Sequence, residues 1–338
     1  MKPKTPKRAR VAHFNEMLAP YQGPDNRRAI LQLAVTATGF FGLWYLMLRS
    51  LDLHYGLTLL LAVPTAGFLV RLFMIQHDCG HGSFFKSRKA ASFVGHCIGV
   101  LTLLPYDYWR RTHALHHAHS GDLEARGFGD VETLTVNEYL ERSPKGRLAY
   151  RVYRNPLVLF CFGALFHFVI KQRYPWNLDR SWKQAWRSVW LTNLGLVLCA
   201  GLLSYLIGWQ RLLMIQGPII LITCSVGVWL FYVQHQFEDT YWETKPEWDY
   251  YDAALKGSSH LVLPAPLQWI TACIGLHHVH HMSPRIPNYR LTECLEANPE
   301  LQTATKVTMR GSWELTRLHL WDEDAGRLIG FGEVEARA

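Results

Sequence analysis

Charged residues are scarce in this 338-residue chain, making up 18% of it against roughly 25% in soluble domains. The shortfall lies in long uncharged runs. Ala29–Leu48, Val189–Trp209 and Leu212–Val233 carry no charge over 20, 21 and 22 residues. At ~1.5 Å per residue, each can cross a hydrocarbon core of ~30 Å. A fourth run, Gly56–Ile75, holds Arg71 near its C-terminal end, where the side chain is expected to snorkel to the headgroups. Pro64 within that run is tolerable in a membrane helix. Two weaker apolar runs, Ala91–Leu104 and Pro156–Ile170, are too short to span and read as interfacial or re-entrant.

Other absences narrow the function. The seven cysteines form no C-x-x-C and no regular spacing, which speaks against a disulfide framework or a thiolate zinc site. Cys161, Cys199 and Cys224 lie in apolar runs and are expected to be buried packing residues. No H-E-x-x-H occurs, so zinc hydrolysis of that type is not indicated. The middles of the apolar runs hold almost no ionisable groups, which counts against a transporter. There is no internal repeat or low-complexity segment. No A-x-A site follows the first apolar run, which starts too late for a signal peptide, so a retained anchor is expected.

The net charge is +8, a value compatible with nucleic-acid binding. Its distribution argues against that. The first 28 residues hold seven Lys or Arg and the stretch His77–Arg187 holds sixteen, while the turns near Asp52 and Gln210 hold almost none. Such a bias is the positive-inside pattern. The expected organisation is therefore a single unit with residues 1–28 cytoplasmic, 29–76 a first transmembrane hairpin, 77–187 cytoplasmic, 188–234 a second hairpin and 235–338 cytoplasmic. The tail after Asn298 reads as mixed structure without an assignable role.

Against these absences stands an excess of histidine, 17 residues in all. Three clusters repeat at helical spacing: His77 and His81; His113, His116 and His117; His277, His280 and His281. Residues at i, i+3 and i+4 share a helix face. Neutral imidazole binds borderline metals, and one tetrahedral ion takes only about four ligands. Eight aligned imidazoles, with His235 a candidate ninth, therefore argue for two ions. The alternative is chance clustering of a frequent residue. All candidates fall on one side of the four spans, which a random scatter would not produce. At ~100° per residue, His278 and His119 turn off their clusters' faces and read as outer-shell or solvent groups. His96 and His167 read as hydrogen-bonded packing residues. His260 sits in a Gly-Ser-Ser loop, and His13, His54 and His319 look incidental.

The motifs themselves are recognisable. His77-Asp-Cys-Gly-His81, Tyr108-Trp-Arg-Arg-Thr-His113-Ala-Leu-His116-His117 and Gly275-Leu-His277-His-Val-His280-His281, followed by Ser283-Pro-Arg-Ile-Pro-Asn-Tyr-Arg290, resemble the three histidine boxes of membrane fatty acid desaturases. The likeness runs from about Ala29 to Glu296 and is greatest to bacterial and cyanobacterial acyl-lipid enzymes. It implies an all-α integral membrane protein of four transmembrane helices in two hairpins, with a cytoplasmic helical cap holding a dimetal site, in the bacterial inner membrane. The family's additional histidine matches His235. His119 stands where relatives carry a small polar residue, so its role is open.

The resemblance also implies a reaction. A non-haem diiron centre with O2 as co-substrate would place a cis double bond in a membrane-borne acyl chain. Electrons would come from a separate donor of the ferredoxin, rubredoxin or cytochrome b5 type with its reductase, since no fused donor domain is visible. Side chains alone cannot oxidise an unactivated methylene. Hydroxylation, carotenoid oxidation and oxidative decarboxylation to a terminal alkene remain open, because spacing does not separate them. Asp78, Glu124, Asp130, Glu238 and Asp239 could orient ligands through the second ring nitrogen or be solvated surface acids. Trp182, Trp186 and Trp190 fit an interfacial belt. Arg110 and Arg111 fit a lipid phosphate, an acidic donor protein or the positive-inside bias alone.

Overall fold

The computed structural model describes residues 7–127, 130–176 and 178–336. It is mostly helical, and four of its helices are long and apolar enough to span a membrane. Helix α1, Lys7–Leu18, precedes the first hairpin. Helix α2, Asn26–Ser50, starts where the Asp25 carboxylate accepts from the backbone N–H of Arg27 and Arg28 and satisfies donors that a helix start leaves free. Helix α3, Tyr55–His81, begins at His54, whose ring accepts from Gly56 N–H. His54 is thus a helix cap rather than an incidental residue. Helix α3 has 27 residues, about 40 Å at ~1.5 Å per residue. Its last turns therefore run on beyond a ~30 Å core and carry His77 and His81 out with them. Gly82, at φ 71°, ends the helix in a left-handed conformation that suits glycine.

Helix α4, Arg88–Leu101, packs across α3 and, at 14 residues, does not span. Helix α5, Tyr106–His119, carries the second cluster and packs on α3. Two short helices follow, α6, Val136–Glu141, and α7, Pro144–Arg154. Two π-helical stretches, Val158–Gly163 and Phe166–Ile170, bend away from α7 by 75°, and Phe162, Phe166 and Ile170 among them point outward. This broken segment is the second of the two weaker apolar runs. The second hairpin is α8, Lys183–Ile207, and α9, Trp209–His235, joined through Gly208 at φ 86°.

Both hairpins extend past the boundaries drawn from charge, because the charged and histidine-bearing ends continue the helix outside the apolar stretch. Asp52 and Arg211 pair at 2.7 Å, so the two hairpin turns meet at one end of the bundle. The histidine-bearing ends of α3 and α9 lie at the other. Helix α8 touches the rest along a narrow stripe and exposes Leu191, Leu194, Val197, Leu198 and Leu202. Apolar surface on this scale belongs against lipid. Cys199 is exposed on that outward side, contrary to the packing role expected of it, while Cys224 is buried.

Arg71 also departs from expectation. It is buried, with its guanidinium 4.1 Å from the Trp269 ring centroid, and it donates to Thr36 Oγ1 and to the Trp269 carbonyl. The reason is that α3 continues past Ile75, so Arg71 lies inside the bundle rather than at a helix end.

The cap is completed by α10, Tyr250–Lys256, α11, Ala265–Ile270, α12, His277–Met282, and α13, Leu291–Ala297. Five short strands join it. Strand β1, Leu134–Thr135, pairs in parallel with β4, Leu320–Asp322, which runs antiparallel to β5, Arg327–Ile329; β2, His260–Val262, pairs in parallel with β3, Lys306–Thr308. The tail after Asn298 therefore returns to the cap as a strap, pairing with β1 and β2.

Candidate metal centre

Nine histidines from four helices converge at the cap end of the bundle and form two groups. His77, His81, His113, His117 and His280 make the first; His116, His235, His277 and His281 make the second. Within each group one nitrogen per residue lies within 4.8 Å of all the others. The groups adjoin, since the rings of His117 and His281 are stacked with centroids 4.1 Å apart.

Helical geometry explains the sorting. Residues four apart differ by about 40° around the axis and residues three apart by about 60° in the opposite sense. The i, i+4 pairs His77/His81, His113/His117 and His277/His281 each stay within one group. The remaining member of each triple crosses over. Helix α5 sends His116 to the pair on α12, and α12 sends His280 to the pair on α5. The two clusters are thereby interlocked.

The ring nitrogens meet at short range. His117 Nε2 lies 3.1 Å from His113 Nε2 and 3.0 Å from His280 Nε2. His277 Nε2 lies 3.1 Å from His281 Nε2 and 3.0 Å from His235 Nε2. A ring nitrogen carries one proton or one lone pair, so no assignment of tautomers satisfies both contacts of either trio with good hydrogen bonds. Among the described residues, His81 Nε2 and His116 Nε2 are buried with no hydrogen-bond partner. Buried polar atoms left in this condition are costly. A cation between them takes the lone pairs, and N···N edges near 3 Å suit ligands sharing an ion at ~2.1 Å. The residues present fit a pair of metal ions.

Electrostatics agree. Burial, reinforced by neighbouring imidazoles, holds His113, His117, His277, His280 and His281 well below the usual histidine range. They are neutral near pH 7, the form that binds metal.

The outer partners fix the rings. His77 Nδ1 lies 3.0 Å from Asp78 Oδ1, His116 Nδ1 2.5 Å from Asp130 Oδ1, and His235 Nδ1 3.0 Å from the Gly257 carbonyl. Asp78 Oδ2 accepts in turn from Asn288 N and Nδ2 at 2.7 and 2.8 Å, which ties box one to the turn after box three. Of the five acids considered from sequence, these two meet a histidine of the groups. Glu124, Glu238 and Asp239 are exposed, and Glu238 pairs with Arg327. Gly257 and Asn288 are additions; only Asn288 lay in a motif that could have pointed to it.

The other histidines are elsewhere. His278 is fully buried beside His260 and outside both groups, so solvent is not its setting. His119 is half-exposed and 3.9 Å from Asp122. His96 bonds Asp107 and the Ser92 carbonyl, and His167 bonds Gln172. Arg110 pairs with Asp107 and Arg111 stacks on Trp182, so neither guanidinium is uncommitted. Trp190 is exposed beside Tyr174, while Trp186 donates to the Asp179 carbonyl.

These features define a class: a protein with four helices long and apolar enough to span a membrane and a buried, histidine-lined pocket at one end of the bundle whose two groups could each hold a metal ion. Comparison with known proteins narrows it. The fatty acid desaturase family model matches residues 52–313, and the chain belongs to that family, whose members are oxidoreductases. A fatty acid desaturase of Bacillus subtilis is 44% identical over 329 residues, covering 96% of this chain and 93% of that protein. The sn-1 oleoyl-lipid 12-desaturase of Synechocystis is 26% identical over 312 residues, covering 88% and 83%. A temperature-sensitive sn-2 acyl-lipid omega-3 desaturase (ferredoxin) of Arabidopsis thaliana chloroplasts is 27% identical over 250 residues, covering 67% of this chain and 53% of that protein.

Proposed function

We propose that this chain, as one desaturase domain, is an O2-dependent non-haem diiron enzyme that introduces a cis double bond into a fatty acyl chain carried by a membrane lipid. The observation that carries the reading is the division of nine buried imidazoles into two adjoining groups at the ends of apolar spans. Nitrogen ligands of this kind suit iron. Two irons held there would supply the oxidising chemistry, in which one O2, two electrons and two protons take two hydrogens from neighbouring methylenes and leave two waters and a double bond.

The side chains provide the setting. Asp78, Asp130 and the Gly257 carbonyl each engage Nδ1 of a ligand histidine, which leaves Nε2 as the free ring nitrogen and fixes the ring plane. Trp109 stacks on His113 at 4.6 Å, and Phe231 borders His116 and His235 at 5.1 and 5.2 Å. These aromatic rings border the histidines and lower the local dielectric around them. The apolar spans beneath favour a substrate that arrives through the bilayer.

We infer from the Lys and Arg bias that the cap and both termini face the cytoplasm, in a bacterial inner membrane. Electrons would then reach the site from a soluble donor with its reductase, of ferredoxin, rubredoxin or cytochrome b5 type. The names of the cyanobacterial and Arabidopsis relatives support a lipid substrate, and the latter a ferredoxin donor.

The test is expression in a host lacking this activity, followed by mass spectrometry of intact lipids and released acyl chains. A new cis-unsaturated chain on glycerolipids, absent with His81→Ala, is expected. Appearance of the double bond first on a thioester would overturn the acyl-lipid assignment. A hydroxylated, shortened or carotenoid product would overturn desaturation.

A further inference from the structure

Arg154, the last residue of α7, exposes only 2% of its surface. Among the described residues no carboxylate pairs with it. Keeping an unpaired guanidinium dry is costly, and the feature that sets it apart from a neutral side chain is a rigid fork of donors. All five bonds of that fork go to neutral oxygens. Nη1 donates to the Glu132 carbonyl and to Thr133 Oγ1, both at 3.1 Å. Nη2 donates to Gln236 Oε1 at 3.0 Å, to the Tyr232 hydroxyl at 3.2 Å and to the Leu318 carbonyl at 2.8 Å.

The segments these oxygens belong to lead to one place. Glu132 and Thr133 lie two and three residues after Asp130, whose carboxylate holds His116. Gln236 follows His235 directly, and Tyr232 precedes it by three residues on α9. Thr133 and Gln236 also bond each other across the guanidinium at 3.2 Å. Leu318 belongs to the C-terminal strap, beyond the 52–313 span matched by the family model. His116 and His235 are both in the second group. None of the five bonds reaches a segment that carries a histidine of the first group.

We propose that Arg154 is a positioning residue for the second histidine group. By clamping the Asp130 loop and the end of α9 to one rigid fork, it sets the separation of His116 from His235 and with it the ability of that group to hold an ion. This rests on reading the two groups as two metal positions.

The test uses the full-length, metal-free protein in detergent, titrated anaerobically with Co(II) and followed by metal content and by the visible absorption of the bound ion. The wild-type chain is expected to take two ions. In Arg154→Gln the second binding step should weaken at least about tenfold, the scale of losing an outer partner, while the first stays within about twofold. Adding His81→Ala to Arg154→Gln should remove the remaining tight step; adding His277→Ala should not. Arg154→Lys keeps the charge but not the fork, and should fall between. If Arg154→Gln does not fold, Gln236→Ala, which removes one arm of the clamp, should weaken the second step alone. Two unchanged steps, or equal weakening of both in a folded variant, would overturn the proposal. A wild-type chain that takes a single ion would instead overturn the two-position reading on which it rests.

Discussion

The two histidine groups are built from similar rings by different routes. In the first, four of five members come as i, i+4 pairs from α3 and α5, neighbouring helices in direct contact. Their spacing is a property of two helices. The second draws a single residue from α5, a single residue from the end of α9 and a pair from α12. Its single residues are held from outside, by Asp130 and by the Gly257 carbonyl. The difference teaches where each group is vulnerable: the first through its helices, the second through the cap loops that steer His116 and His235.

The largest expected effect is loss of a ligand. His81→Ala should abolish one metal-binding step and His277→Ala the other, and either should reduce product to background, because desaturation as proposed needs both ions. His278→Ala and His119→Ala should retain both steps and measurable product, since neither ring belongs to a group. Metal content and product yield, read together on protein checked for membrane insertion, decide this. Loss of both steps in either ligand variant would mean that the groups are one cooperative site and that the comparison has no energetic meaning.

A smaller effect should separate the outer carboxylates. Asp130→Asn keeps the size of the side chain but removes the charge that holds His116. It should weaken the second step by about 10–100-fold, the usual scale for an outer-shell partner, and leave the first nearly unchanged. Asp78→Asn should do the reverse. It should also lower thermal stability more, because Asp78 Oδ2 accepts two hydrogen bonds from Asn288 in a buried setting, and an amide has one oxygen to offer either to both of those donors or to His77 Nδ1, not to all three. Equal effects of the two variants on both steps would remove the distinction between the groups.

Much of the architecture was legible in the chain because membrane spans and helix faces are local patterns. Uncharged runs mark the spans, and i, i+3, i+4 spacing marks the histidine faces. What the patterns did not disclose depends on contacts between distant segments. Nothing in the spacing tells that His116 and His280 exchange groups. Asp130 looked no different from Glu124, because an exposed acid and a ligand-holding acid differ only in what the fold sets opposite them. Arg71 read as a snorkelling residue because the apolar run ends soon after it; the helix does not. The strap was illegible for the same reason, since its strands are three residues each and gain order only by pairing with β1, with β2 and with each other.

The smallest expected effect concerns the strap that accepts one arm of the Arg154 fork. His319 follows Leu318, whose carbonyl accepts from Arg154, and its ring stacks on Phe331 at 4.2 Å. Burial, followed by the nearby Arg154 and Arg151 charges, lowers its pKa to about 4. The unfolded chain would protonate near the ordinary value of about 6.5. Between these values the unfolded state takes a proton that the folded strap refuses, so stability falls as pH drops through about 6.5 and levels off below about 4. His319→Phe keeps the stack and cannot take the proton. Its melting temperature in detergent should therefore fall less than the wild type's between pH 7 and pH 5, by an amount on the order of one degree, because the ring is partly exposed and screened. Both metal-binding steps should keep the same pH profile in the two proteins over that range, because the folded ring stays neutral above about 4. Parallel pH profiles of melting temperature for the two proteins would mean that protonation of His319 is not coupled to folding of the strap.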